Sequence, residues 1–165
     1  MLNRKNPRLA DYDYSQQGGY FVTLCTHKKR CTLSRIVPGT AIEPVKIRLT
    51  ELGQIASDMV SEIETRYAIT VPCFVVMPNH IHLLVMKDEK AGNTPLGQII
   101  GGYKSLITKR WRELCNSRGV IMGDVWQRNY YDHILRNDDD YLEKAQYILT
   151  NPDRWCKDEL RCTEL

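Results

Sequence analysis

The sequence predicts an α+β fold built on an antiparallel sheet. Short β-branched and apolar runs alternate with longer segments in which apolar residues recur every three or four positions. Runs of the first kind are typical of strands, and segments of the second kind are typical of amphipathic helices. Their order is strand, helix, strand, strand, helix, strand, followed by one more helix. That order is typical of the split βαβ motif.

The first half of this pattern opens at residues 20–26, where β-branched and aromatic side chains predict a strand. Gly18-Gly19, just before it, predicts a turn. Residues 45–49 predict a short edge strand. An amphipathic helix is expected over 51–66, with Thr50 as its N-cap.

The second half opens with two apolar runs, 70–77 and 80–86, on either side of Pro78-Asn79. A tight turn between two such runs predicts antiparallel neighbouring strands. A second amphipathic helix is expected over about 96–115, and residues 130–135 predict the last strand.

A third helix is expected from an N-cap at Asn137 to its end at Pro152. At about 100° per residue, one arc of this helix gathers its apolar side chains, and we expect that arc to face the core. Its members are Tyr141, Leu142, Ala145, Ile148 and Leu149.

These elements together predict a ferredoxin-like α+β domain, with an antiparallel sheet, helices on one face and an added C-terminal helix. The length of 165 residues suits one domain over 1–165, with a basic N-terminal arm over about 1–19. Lysine and arginine total 23 against 20 acidic residues, a net charge of +3. This charge permits a nucleic-acid partner without demanding one.

The sequence has no run of apolar residues near the ~18 that a membrane helix needs, and its N-terminal residues do not form a secretory signal. We therefore expect a cytoplasmic protein whose six cysteines are reduced thiols. No two cysteines are spaced as CxxC. A zinc site, the alternative, would have to gather Cys25, Cys31, Cys156 and Cys162.

Two histidines on the predicted central strand are the first candidates for chemistry. His80 and His82 point to the same face because alternate residues of a strand share a face. Two neighbouring imidazoles can fill two positions of a divalent metal site. The alternative is a pair of surface histidines on a half-exposed strand, but the apolar flanks indicate a buried one.

A tyrosine on the third helix is the second candidate. Tyr147 falls nearly opposite the predicted core arc, and Asn151 lies one turn further along the same face. The alternative is an exposed tyrosine that caps a neighbouring element. Tyr130 and Tyr131 are reserve candidates, since they alternate across the predicted strand and one of them can face outward. A metal pair with an exposed tyrosine suggests phosphodiester chemistry, in which the phenolate attacks phosphorus.

Three segments in order, MPNHIH at 77–82, WQRNYY at 126–131 and YILTNP at 147–152, strongly resemble motifs of the single-tyrosine HUH transposases. Within them the chain resembles the REP-associated, IS200-like branch, over about 20–155. The resemblance implies a ferredoxin-like fold and an enzyme that cuts single-stranded DNA near a hairpin, leaving a 5′-phosphotyrosine and a free 3′-OH. One departure is Leu106-Ile107, where many relatives carry an aromatic residue or a Tyr-Thr pair.

The same resemblance implies the role of each site residue. His80 and His82 are expected to bind Mg²⁺ or Mn²⁺, Tyr147 to be the nucleophile, and Asn151 to be a third metal ligand. Relatives include monomers and dimers, and some exchange the tyrosine helix between subunits, so a homodimer is possible. In either case Tyr147 is expected to lie beside the two histidines.

Basic residues on the second helix and two other segments are the expected DNA contacts, because cations follow a phosphate backbone. They are Lys104, Lys109, Arg110, Arg112, Arg128, Lys28, Lys29 and Arg30. Two alternatives stay open. One is a module that binds hairpin DNA without cutting it. The other is a nickase of the relaxase or replication-initiator kind, which usually carries larger accessory domains.

Overall fold

The computed structural model describes residues 12–155, which form one four-stranded antiparallel sheet, a separate two-stranded ribbon and three α-helices. The strands are β1 (Gly18–Cys25), β2 (Ser34–Val37), β3 (Lys46–Leu49), β4 (Thr70–Val76), β5 (His80–Lys87) and β6 (Tyr131–Leu135). The helices are α1 (Glu51–Tyr67), α2 (Leu96–Ser117) and α3 (Asp138–Arg154). The sheet runs β4-β5-β1-β6. The predicted ferredoxin-like fold is therefore confirmed.

One face of the sheet packs against α1 and α2. Alternate side chains of β1 and β5 point to this face and are fully buried, as their β-branched and apolar character predicts; they are Tyr20, Val22, Leu24, Ile81, Leu83 and Val85. The helices are joined through Tyr103, whose hydroxyl donates a 2.6 Å hydrogen bond to the carbonyl of Ala56. Thr50 caps α1 as expected, its side chain accepting from the amide of Gly53.

The opposite face of the sheet takes α3. Ile148 of this helix is 1% exposed and packs against Val75, Met77 and Leu84 in a second apolar cluster. The prediction of helices on one face thus holds for α1 and α2, and α3 covers the other face. Asn137 caps α3 as predicted, accepting from the amide of Asp140.

The buried face of α3 differs from the predicted one. Leu142 and Leu149 are 61% and 67% exposed, whereas the polar Asn151 is 1% exposed. The predicted arc is therefore correct only in part: Tyr141, Ala145 and Ile148 pack in the apolar cluster, whereas Leu142 and Leu149 do not. Tyr147 is half-buried and lies near the true buried face, not opposite it. The physical reason is that the sheet face under α3 carries polar histidines, so the helix turns a mixed face toward them.

Other boundaries also shift. β1 begins at Gly18, so Gly18-Gly19 is strand and not a turn; a β-carbon at Gly19 would lie 2.8 Å from Leu135 Cδ1. β2 was not expected from the sequence. α3 continues through Pro152 to Arg154, because a proline in the last turn removes only one amide hydrogen.

Residues 1–11 of the predicted arm, Cys156 and Cys162 lie outside the described residues. Cys73 and Cys115 are free thiols, but Cys31 is disulfide-bonded, contrary to expectation. No helix within residues 12–155 is long and apolar enough to cross a membrane.

Candidate active site

The site is built on β5, at the centre of the sheet. His80 pairs with Cys25 of β1, and His82 pairs with Thr23, so both imidazoles project from the face that α3 covers. Their ring centroids are 4.5 Å apart, and the residues are 0% and 2% exposed. The alternative of two surface histidines is wrong.

Hydrogen bonds to the ring nitrogens orient both imidazoles. Nδ1 of His82 lies 2.8 Å from Oγ1 of Thr23, and Nδ1 of His80 lies 2.8 Å from Oδ1 of Asn79. Nε2 of His82 is buried and has no hydrogen-bond partner within the described part of the chain. Metal-bound histidines characteristically use one nitrogen for the metal and the other for such an orienting bond.

Burial also sets the charge of His82. Its pKa lies well below the usual value of 6.5, mainly because burial penalises the charged ring and also because His80 is close. A neutral imidazole is the form that binds a metal ion.

Tyr147 lies beside His82, as predicted from the sequence. The ring centroids are 5.3 Å apart in an edge-to-face arrangement. Phe21 of β1 stacks on His82 at 5.0 Å and meets Tyr147 at 5.9 Å, so it packs against both rings. Trp155, directly after α3, lies 6.0 Å from the ring of His80. All of these contacts join residues of one chain.

Asn151 is buried one helical turn beyond Tyr147. Within residues 12–155 no three side chains of the His, Cys, Asp and Glu types come together as a metal-binding group. The assignment of Asn151 as a third metal ligand stays a prediction.

The two reserve tyrosines have different environments. Tyr130 is 5% exposed and belongs to the core formed with α1 and α2. Tyr131 is 55% exposed on β6, where it pairs with Thr23 and so shares the sheet face of His82. Tyr131 is the stronger reserve candidate.

The predicted DNA contacts on α2 fall into two grooves. Lys104, Lys109 and Arg112 line one groove of about 320 Å³ together with Ser105 and Thr108. Arg110 belongs instead to a groove between α1 and α2 and lies 3.6 Å from the carboxylate of Glu113.

Lys104 has a structural role within its groove. Its Nζ donates hydrogen bonds to the backbone carbonyls of Gln127 and Arg128, at 2.5 and 3.2 Å. Partial burial lowers its pKa. Lys104 thus holds the segment that carries the exposed Arg128.

The remaining basic residues lie at the His80 end of the sheet, after β1. Lys28 and Arg30 are exposed, and Lys29 is half-buried. The start of the basic turn is joined to the connection between β4 and β5 by a 2.9 Å hydrogen bond from the amide of Thr26 to the carbonyl of Asn79. Segment 125–128 reaches the same end of the sheet, where the amide of His27 donates a hydrogen bond to the carbonyl of Val125.

Four supporting residues were not predicted: Phe21, Thr23, Asn79 and Trp155. Asn79 directly precedes His80 in the motif, which is a usable signal. The other three reach the site only through strand register and helix packing, which sequence spacing does not encode.

Comparison with known proteins identifies the family of the chain. The family model of IS200-like transposases matches residues 45–151, a span that includes His80, His82, Tyr147 and Asn151. The chain belongs to the IS200-like transposase family. This confirms the family that the sequence motifs predict, and membership implies an enzyme that cleaves DNA.

The individual relatives of this transposase share less than a third of their aligned residues with it. An uncharacterized protein of Haemophilus influenzae is 29% identical over 178 residues, covering 96% of this chain and 93% of the relative. The REP-associated tyrosine transposase of Escherichia coli is 24% identical over 106 residues, covering 63% of this chain and 56% of that protein. A solved REP-associated tyrosine transposase, bound to a REP hairpin, aligns with a TM-score of 0.58 at 20% identity. It covers 89% of this chain and 73% of that structure, and supports the fold.

Proposed function

We propose that this chain is a metal-dependent DNA strand transferase that cuts and rejoins single-stranded DNA at hairpin-flanked sites, using Tyr147 as the nucleophile. One observation carries the proposal. The ring centroid of Tyr147 lies 5.3 Å from that of His82, and His82 forms a buried pair with His80. A nucleophile beside two potential metal ligands suits phosphoryl transfer.

Mg²⁺ or Mn²⁺ would be held by His80, His82 and Asn151. The buried Nε2 of His82, without a hydrogen-bond partner within residues 12–155, fits a metal ligand. The mixed nitrogen and amide donors favour Mn²⁺ over Mg²⁺, which prefers oxygen ligands. A divalent cation there would polarise a phosphate oxygen and stabilise charge that develops on phosphorus.

Tyr147 would attack the scissile phosphate through its phenolic oxygen. The tyrosine loses its hydroxyl proton and forms an O–P bond, while the bond from phosphorus to the 3′ oxygen breaks and that oxygen leaves as a 3′-OH. One phosphodiester replaces another, so the step conserves bond energy. The reverse attack by a 3′-OH rejoins DNA and needs no ATP.

The DNA would be held by the groove of Lys104, Lys109 and Arg112 and by the basic residues at the His80 end of the sheet. The similar solved protein is bound to a REP hairpin, which supports hairpin DNA as the substrate class. Because Tyr147 meets a histidine of its own chain, one subunit carries every proposed catalytic group.

A non-catalytic hairpin-binding module is the second candidate, and the burial of the histidines favours it. A phosphate cannot reach residues that are 0% and 2% exposed in the observed arrangement. Catalysis therefore requires the residues that cover them, Tyr147 and Trp155 among them, to move when DNA binds. Faster amide hydrogen exchange in α3 upon DNA binding would support the enzyme.

The two candidates are separated by a cleavage assay on labelled single-stranded hairpin DNA from the flanks of the gene, with Mn²⁺ or Mg²⁺. Wild-type protein is compared with Tyr147→Phe and with the matched control Tyr131→Phe. We expect a protein-linked product from wild type and Tyr131→Phe but not from Tyr147→Phe. Tight binding without any covalent product would favour the binding module instead.

A further inference from the structure

Asn79 forms a buried bridge between the basic turn after β1 and the imidazole of His80. Its side chain is 0% exposed. Its Oδ1 lies 2.8 Å from Nδ1 of His80, and its Nδ2 donates a 3.2 Å hydrogen bond to the backbone carbonyl of Lys29. One amide thus contacts both a ring nitrogen and a carbonyl oxygen.

This bridge fixes the tautomer of His80. A backbone carbonyl can only accept, so it must face the NH₂ end of the Asn79 amide, and Oδ1 must face the ring. An amide oxygen also only accepts, so the ring hydrogen must be on Nδ1. A neutral imidazole carries one such hydrogen, and Nε2 therefore keeps its lone pair.

His82 is oriented differently. Its Nδ1 faces the hydroxyl of Thr23 at 2.8 Å, and a hydroxyl can donate or accept. That bond is compatible with either tautomer. The two imidazoles are therefore not equivalent: the surroundings of His80 select one tautomer, whereas the partner of His82 adapts.

The turn that presents the Lys29 carbonyl is itself constrained. Lys28 and Lys29 both have φ of 54°, a left-handed conformation that side chains with a β-carbon rarely adopt. Thr26 anchors the turn, its hydroxyl lying 2.7 Å from the carbonyl of Arg30 and 3.0 Å from that of Asn79. Unfavourable backbone conformations persist where surrounding contacts enforce them.

We propose that Asn79 is a positioning residue that holds His80 in the tautomer protonated on Nδ1, which leaves Nε2 unprotonated and able to bind a metal ion. The metal-binding part rests on the proposed function, but the tautomer does not. Lys29 contributes through its backbone carbonyl, which orients the Asn79 amide.

Nitrogen-15 NMR of the metal-free wild-type protein tests the tautomer directly. Long-range proton–nitrogen couplings of the histidine rings are recorded near neutral pH, and His80→Gln assigns the signals. We expect Nδ1 of His80 to be protonated and Nε2 to be bare. A His80 ring protonated on Nε2 would overturn the proposal, whether or not Tyr147 proves to be the nucleophile.

Two variants then test the consequence for metal binding, measured by titration calorimetry with Mn²⁺ alone. Asn79→Leu removes the acceptor, and loss of such an orienting partner costs about 10- to 100-fold in metal affinity. Asn79→Asp keeps the acceptor for His80 but loses the donor to Lys29, so it should retain more Mn²⁺ affinity than Asn79→Leu. Equal affinity of the leucine and aspartate variants would refute the positioning role. If the leucine variant does not fold, the tautomer of His80 in the wild-type protein still decides it.

Discussion

Tyr147 of α3 meets His82 of β5 edge to face, with ring centroids 5.3 Å apart. These residues are distant in sequence and come together because α3 crosses the sheet face opposite α1 and α2. Phe21 stacks on the same imidazole at 5.0 Å and limits how the ring can turn. The sheet thus presents an oriented, neutral histidine to the phenol.

Replacing His82 by glutamine should remove one of the two imidazole ligands. We predict that His82→Gln lowers Mn²⁺ affinity by at least about tenfold, since even outer-shell changes cost that much. Calorimetry measures the loss. The control is His133→Gln, because His133 lies on β6 and its imidazole bonds Asp140 at 2.9 Å. Hairpin DNA binding should be unchanged in both variants; equal Mn²⁺ binding by both would argue against the site.

Charge reversal should show which of the two grooves along α2 binds DNA. We predict that Lys109→Glu combined with Arg112→Glu weakens hairpin DNA binding. It should also flatten the dependence of log K on log salt by about 0.7–0.9 for each lost phosphate contact. Arg110→Glu should have a smaller effect, because Arg110 lies in the other groove near Glu113. Fluorescence anisotropy over a salt series measures both. A larger effect from Arg110 would reassign the DNA surface.

Two helical glycines should respond oppositely to alanine. A β-carbon at Gly53 of α1 would overlap the backbone carbonyl oxygen of Leu33, which also accepts a hydrogen bond from the amide of Thr50. We predict that Gly53→Ala lowers the free energy of unfolding by about 1–3 kcal/mol or more. Gly101 of α2 has nothing within 4 Å of a β-carbon, so Gly101→Ala should raise stability by up to about 1 kcal/mol. Urea denaturation tests the pair, and a neutral Gly53→Ala would contradict the close approach.

The elements that sequence periodicity predicts best are those that bury a uniform face. β5 and the strands beside it are recognisable because their apolar runs are continuous, and α1 because its apolar residues share one stripe. α3 is different: it buries Asn151 and leaves Leu142 and Leu149 exposed. A helical wheel that scores only apolar residues cannot identify a helix face that packs against a pair of polar histidines.

The site was partly predictable for the same physical reason. Strand alternation places His80 and His82 on one face, and the motif resemblance adds Tyr147. The orienting partners follow from register, since Thr23 reaches His82 only because β1 pairs with β5. The separation of Arg110 from Lys109 and Arg112 depends on where α1 packs along α2, which neighbouring positions in sequence do not reveal.

The most direct test of the proposed chemistry identifies the residue to which DNA becomes attached. Purified protein is incubated with hairpin-flanked single-stranded DNA and Mn²⁺, digested with protease and nuclease, and analysed by tandem mass spectrometry. We predict a nucleotide joined through its 5′-phosphate to Tyr147, and no such adduct with His82→Gln. A nucleotide on Tyr131, or tight DNA binding with no covalent adduct on any residue, would contradict Tyr147 as the nucleophile.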